Sequence, residues 1–194
     1  CVTPVRGPGS SKVRNRMAMV VAVLLASLIA APAALLLYWS YPGRPEPFLG
    51  EDGRPRPGSI AEKVWVEVNG LPQGMILRGR DTTRPVLLFL HGGMPEYFLA
   101  ERYPSGLEDL FVVCWWEQRG SGLSYRPGLP GEGLSSQQLV SDAIEVARYL
   151  RRRFGQERIY LMAHSGGSFF GIQLVARAPE LFHAYVGVAQ ISNQ

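Results

Sequence analysis

One stretch limits what this chain can fold into more than any other: residues 158–176, RIYLMAHSGGSFFGIQLVA. It opens as an apolar run of strand length. It closes with Phe169, Ile172, Val175 and Ala176 at a spacing that predicts one face of an amphipathic helix. Between the two stand Ala163, His164, Ser165, Gly166 and Gly167. A chain that passes straight from strand to helix through a serine bends sharply, and the residues two before and two after the bend approach each other. They must be small, as Ala163 and Gly167 are. The bend strains the serine and lifts its hydroxyl above the sheet, while the new helix aims its first N–H groups at developing negative charge. Ser165 is the candidate nucleophile. Ser168 competes, because Gly166 and Gly167 also precede it, but that register puts Phe170 where a small residue is needed. The stretch has neither the Gly-x-Gly-x-x-Gly nor the Walker spacing of phosphate-binding turns.

The segments before it supply a sheet. Residues 63–68 alternate as a strand, Asn69 and Gly70 make a turn, and residues 75–78 return as the hairpin partner. Residues 85–90 (PVLLFL) are apolar throughout, as a strand buried on both faces should be. They lead into His91, Gly92, Gly93, Met94 and Pro95. Residues 111–116 (FVVCWW) form the next buried strand and lead into Glu117, Gln118 and Arg119. Ser136 is the expected N-cap of a helix over residues 137–153, with Leu139, Ala143, Val146, Ala147 and Leu150 on one face. Arg151, Arg152 and Arg153 suit its C-terminus, where the helix dipole favours cations. Residues 185–189 form the last strand. A hairpin followed by alternating buried strands and helices predicts an α/β domain over residues 60–194, largely parallel, with flanking helices.

Three further segments precede that domain. Residues 1–16 are basic and rich in Gly, Pro and Ser, and disorder is expected. Residues 17–41 form an uncharged apolar run, long enough as a helix to cross a hydrocarbon core of about 30 Å. Pro32 is tolerable in a membrane helix, and Tyr38, Trp39 and Tyr41 suit an interfacial belt. A cleaved signal peptide is the rival, with a small-residue site at Ala31, Pro32 and Ala33. Leu35, Leu36 and Leu37 carry the apolar run past that site and favour an uncleaved single-pass anchor. Arg6, Lys12, Arg14 and Arg16 before the run place the N-terminus in the cytoplasm and the domain outside it. Residues 42–59 are Pro-rich and polar and read as a semi-extended linker. A net charge of +4 scattered over the chain does not argue for nucleic acid as a partner. Two cysteines, Cys1 and Cys114, are too few for a disulfide framework.

Acyl transfer needs a nucleophile, a base, an orienting acid and donors for the oxyanion. The donors expected are the backbone N–H of Gly166, next after the serine, and that of Gly93 or Met94 in the earlier glycine loop. In these three loops the chain resembles the α/β-hydrolases close to proline iminopeptidase. Those enzymes carry His-Gly-Gly-Pro-Gly, Asp-Gln-Arg-Gly-Ser-Gly-x-Ser and Gly-Gly-Ser-Trp-Gly. Here the corresponding residues are His91, Gly92, Gly93, Met94 and Pro95, then residues 117–124 (EQRGSGLS), then Ala163, His164, Ser165, Gly166 and Gly167. The resemblance covers roughly residues 60–190 and implies the α/β-hydrolase fold. It implies a serine hydrolase that attacks an amide or ester carbonyl of a peptide or small molecule through an acyl-enzyme.

Glu117, Gln118 and Arg119 are expected to brace the loops, with Arg119 pairing either with a carboxylate of a cap or within the domain. No metal or organic cofactor is implied. In such hydrolases the chain order is nucleophile, acid, histidine. His91 and His164 precede Ser165, and His183 follows too soon, so it reads as a surface or helix-end residue. Ser192, Asn193 and Gln194 offer no carboxylate. The chain is therefore expected to be the N-terminal part of such an enzyme, with cap, acid and histidine outside it, and to hydrolyse little by itself. The alternatives are an esterase or lipase, a non-catalytic binding relative, or epoxide and haloalkane opening. The last chemistry uses an aspartate where Ser165 stands.

Overall fold

A computed structural model describes residues 9–40, 43, 45–93, 105–128 and 134–191 of the 194-residue chain. The chain divides into two compact units, Cys1–Gly43 and Arg44–Gln194. The first holds one helix, α1 (Gly9–Ser40), with Pro32 inside it. Its segment Lys12–Leu37, 26 residues of mean hydropathy 2.7 with no buried side chains, could cross a membrane by length and composition. A signal sequence near an N-terminus passes the same test. The helix already runs at Gly9, so residues 9–16 of the segment expected to be disordered are helical, while 1–8 lie outside the described residues. No Pro or Gly falls between Ser10 and Arg16 to stop it extending backwards.

The second unit begins earlier than expected. Phe48 is buried, with the guanidinium carbons of Arg78 and Arg80 at 4.7 and 4.8 Å from its ring centroid. Thr82 N–H donates to Gly58 O at 2.8 Å. Contacts at Phe48 and Gly58 thus tie this segment to the domain, while residues 51–58 themselves are exposed.

Six strands follow: β1 (Ile60–Val68), β2 (Leu71–Gly79), β3 (Val86–Leu90), β4 (Val112–Trp116), β5 (Ile159–His164) and β6 (Phe182–Val188). They form one sheet in the order β1-β2-β4-β3-β5-β6, antiparallel up to β4 and parallel from there on. Helix α2 (Ser136–Phe154) lies between β4 and β5 in the chain, and α3 (Gly166–Arg177) between β5 and β6. All five residues of β3 and of β4 are buried, as their unbroken apolar runs predict.

One face of the sheet joins α2 and α3 in a core built on Met75, Leu88, Cys114, Trp116, Val146, Leu150, Leu161 and Leu174. Burial there pushes the Cys114 thiol far up from its ordinary value, so this cysteine packs as a small hydrophobe. The other face carries Ile76, Leu87, Phe89, Val113 and Trp115, with the Phe89 and Trp115 rings 4.6 Å apart.

Three local expectations need correction. Ser135, not Ser136, caps α2, accepting from Gln138 N–H at 3.2 Å. His183 lies within β6 rather than before it. The buried face of α3 is Gly167, Phe170, Gly171 and Leu174, while Ile172 and Ala176 are exposed. Two glycines one turn apart let the helix backbone sit against the sheet, and that contact outweighs the larger side chains of the opposite face.

The topology locates a site. From β3 the chain goes on to β4 on one side, whereas from β5 it goes on to β6 on the other. β3 and β5 are neighbours, so a crevice opens beyond their carboxyl ends, where open α/β sheets bind ligands.

Candidate active site

Ser165 and the His91–Gly93 loop stand at that crevice. β5 ends at His164 and α3 begins at Gly166, so the whole reversal falls on Ser165, at φ 50° and ψ −125°. A left-handed φ with this ψ costs a non-glycine residue on the order of 1–3 kcal/mol and persists only when its surroundings enforce it. Here they do. Ser165 N–H donates to Val188 O at 3.0 Å, and its carbonyl accepts from Ser168 N–H at 2.9 Å and from Ser168 Oγ at 2.6 Å. Ser168 Oγ also accepts from Ile191 N–H at 2.9 Å. The hydroxyl of Ser168 is thus buried and engaged on both sides, and it braces the turn.

Close approach explains the small residues. A Cβ on Gly167 would stand 2.4 Å from His91 O and 2.5 Å from Leu90 O, backbone atoms that cannot move aside. One on Gly92 would stand 3.0 Å from Ser165 Cβ and 3.4 Å from its Oγ. The glycine loop therefore lies directly against the serine. Gly93 is exposed, and its nitrogen is 3.9 Å from the position a Cβ on Gly166 would take. The segments carrying the two expected donors, Gly166 and Gly93, are adjacent. The alternative donor, Met94, lies outside the described residues, as do Pro95, Ser192, Asn193 and Gln194.

Each of the three histidines has its own setting. His91 is buried, its Nδ1 3.0 Å from Gly92 O and its Nε2 accepting from Gln118 N–H at 3.4 Å. The Nδ1–H tautomer satisfies both contacts. His164 precedes Ser165, and the pleat turns successive side chains to opposite faces. His183 stacks on Tyr160 with ring centroids 5.2 Å apart, at the start of β6. Ser165 is bonded to Val188, at the far end of that strand, which at about 3.3 Å per residue is roughly 16 Å away.

In the loop after β4, polar side chains tie neighbouring segments together. Glu117 is buried; one carboxylate oxygen accepts from Leu123 N–H and fills the space a Gly122 side chain would need, and its Oε1 has no hydrogen-bond partner. Burial pushes its carboxyl above the ordinary value, against the pull of Leu123 N–H and of Lys63. Ser124 Oγ donates to Glu117 O and accepts from Gly74 N–H at 2.8 Å. Gln118 Nε2 donates to His91 O at 3.0 Å.

Arg119 pairs within the domain, with Asp142, through Nε at 2.6 Å and Nη2 at 2.9 Å. Asp142 is fully buried and also accepts from Asn69 at 2.7 Å, Gln73 at 2.7 Å and Gln138 at 2.8 Å. Burial raises its carboxyl, but the hydrogen bonds from Arg119, Asn69, Gln73 and Gln138 together outweigh it and hold the group below the ordinary range. The bond to Asp142 in turn raises Arg119. Sequence reading overlooked Asp142. The signal was there, since Asp142 sits three residues from Leu139 and four from Val146, on the buried stripe of α2. A carboxylate there demands a cation. Among the described residues no three His, Cys, Asp or Glu side chains are grouped to hold a metal.

A six-stranded sheet of this order, with a strained serine between β5 and α3 against a glycine loop after β3, defines an α/β-hydrolase. The sequence model of serine aminopeptidase, S33, matches residues 81–191, more than half of the chain, and the chain belongs to that family. It is 34% identical over 141 residues to the probable aminopeptidase YbaC of Bacillus subtilis (strain 168), covering 72% of this chain and 44% of that protein. Among solved structures it is similar to an epoxide hydrolase mutant from Vigna radiata, at 28% identity and a TM-score of 0.54 over 66% of this chain and 38% of that one. It is also similar to a proline iminopeptidase-related protein from Thermus thermophilus, at 26% identity and a TM-score of 0.52 over 66% of this chain and 44% of that one. The chain thus spans less than half the length of these relatives.

Proposed function

We propose that the native protein is a serine hydrolase that releases N-terminal residues from peptides, in the manner of the proline iminopeptidase group. Ser165 attacks the amide carbonyl and forms an acyl-enzyme, which water then hydrolyses. The backbone N–H groups of Gly166 and Gly93 receive the charge that builds on the carbonyl oxygen. The observation that carries this reading is the strained Ser165 held against Gly92: the surrounding bonds maintain a conformation that serves to present a hydroxyl. Membership of a serine aminopeptidase family and likeness to a probable aminopeptidase favour an amide over an ester. The likeness to an epoxide hydrolase does not extend to its chemistry, because epoxide opening of that type needs a carboxylate where Ser165 stands. The proposed reaction requires a histidine base other than His91, His164 and His183.

We also propose that residues 17–41 anchor the protein in a membrane with the hydrolase domain on the extracytoplasmic side. The apolar span and the basic residues before it support this.

The test is hydrolysis of prolyl- and alanyl-p-nitroanilide and of p-nitrophenyl acetate by the native protein and by Ser165→Ala. The expected result is amide cleavage that the substitution abolishes. Cleavage of the ester alone would make the protein an esterase, and full activity in Ser165→Ala would remove Ser165 from the mechanism.

A further inference from the structure

We infer that Asp142 is a positioning residue for the Gly92–Gly93 loop, acting through Arg119, Gln118 and His91; the inference rests on the reading of Ser165 as nucleophile. Each link is a contact or a single peptide bond. Asp142 holds Arg119 by two bonds, at 2.6 and 2.9 Å, which fixes the guanidinium in one plane. The residue before Arg119 is Gln118. Its backbone N–H donates to His91 Nε2 at 3.4 Å, and its side-chain nitrogen donates to His91 O at 3.0 Å. His91 in turn contacts Gly92 O through Nδ1, at 3.0 Å. His91 O is also the atom that crowds Gly167 at the start of α3. The clamp on His91 therefore sets the loop and the elbow against each other.

A buried ion pair is poor evidence for stability, since apolar residues of the same volume serve as well or better. What this one supplies is register. Asp142 collects donors from the β1–β2 turn (Asn69), from β2 (Gln73), from its own helix (Gln138) and from the loop after β4 (Arg119). Four segments are thereby tied at one carboxylate, and the last of them carries the clamp. At the far end of the described part of the loop Gly93 is exposed, with nothing within 4 Å of its Cβ position among the described residues. Glu117 is not an alternative clamp, because its carboxylate bonds to Leu123 rather than to His91.

The test uses the native full-length protein carrying Asp142→Asn or Arg119→Lys. For each we would measure kcat and KM on the cleaved substrate, the folded fraction, and amide hydrogen exchange at residues 86–93. In the folded fraction kcat should fall on the order of tenfold or more while KM stays within about twofold, the mark of an interaction made in the transition state. Exchange should rise at residues 91–93 and stay slow at 86–90. If either variant fails to fold, Gln118→Ala keeps the ion pair, removes the side-chain clamp and should give the same local exchange. Unchanged kcat, or exchange rising evenly along β3, would show that the pair only stabilises the domain and would overturn the inference. Activity surviving in Ser165→Ala would instead strike the mechanism, and the exchange readout does not depend on it.

Discussion

The β5–α3 reversal and the loop after β4 leave the same edge of the sheet, with β3 between them, yet they are held by opposite means. The reversal at Ser165 depends chiefly on missing side chains: Gly167 lets α3 meet the backbone of Leu90 and His91, and Gly92 lies against Ser165 itself. Main-chain bonds together with the Ser168 hydroxyl fix the strained serine. The loop after β4 depends on buried polar side chains, with Glu117 closing the turn over residues 120–124 and Arg119 tied to Asp142. Steric constraint of the first kind is short in range and insensitive to pH. Electrostatic constraint of the second kind reaches across the domain and responds to charge. The site needs both, because one presents the hydroxyl and the other fixes the loop that faces it.

The largest expected effect breaks the polar side. Arg119→Met leaves Asp142 buried without its cation and should cost about 3–5 kcal/mol, seen as a lowered denaturant midpoint at unchanged slope. Gly167→Ala breaks the steric side: with contacts at 2.4 and 2.5 Å to backbone oxygens, it should cost about 1–3 kcal/mol and displace the elbow. The measurements are chemical denaturation and loss of turnover in the protein that remains folded. Ser165→Gly relieves the positive φ and should stabilise the fold by about 1 kcal/mol while abolishing hydrolysis, which sets strain against function in one variant.

The smallest effects come from pH and have opposite signs in the two carboxylates of the polar side. Asp142 titrates below its ordinary value in the folded state, so its contribution is complete above about pH 4 and is lost as pH falls through the depressed value. Glu117 titrates above its ordinary value, so the fold is favoured while it is protonated and loses that part as pH rises through the raised value. Glu117→Gln should therefore flatten the loss on the alkaline side and leave the acid limb in place. Asp142→Asn should flatten the acid limb. Melting temperatures across the acid range check both.

The same contrast decides what the sequence revealed. The turn at Ser165 and Gly166 was legible because strand period, bend and residue size mark it within a few residues. The buried strands β3 and β4 were legible for the same reason. Gly167 and Gly92 were named on local grounds but are kept small by distant segments, Gly167 by the backbone of Leu90 and His91 and Gly92 by Ser165. Asp142 was not read, because its partners Asn69, Gln73 and Arg119 lie tens of residues away and no local pattern names them. The buried face of α3 was misread because hydrophobicity favoured Phe169 and Ile172, whereas close helix–sheet packing favoured Gly167 and Gly171. Phe48 shows a third kind of miss, since a Pro-rich segment that reads as a spacer lays an aromatic ring under two arginines of the domain and bonds to Thr82 through Gly58.

The most direct test of the central claim is to label the native protein with a fluorophosphonate probe and map the modified peptide. A reactive serine at the elbow should place the label on Ser165, within residues 159–177, retained in Ser168→Ala and lost in Ser165→Ala. Label on Ser168, or no label on a folded protein that hydrolyses its substrate, would contradict the assignment of Ser165 as the nucleophile.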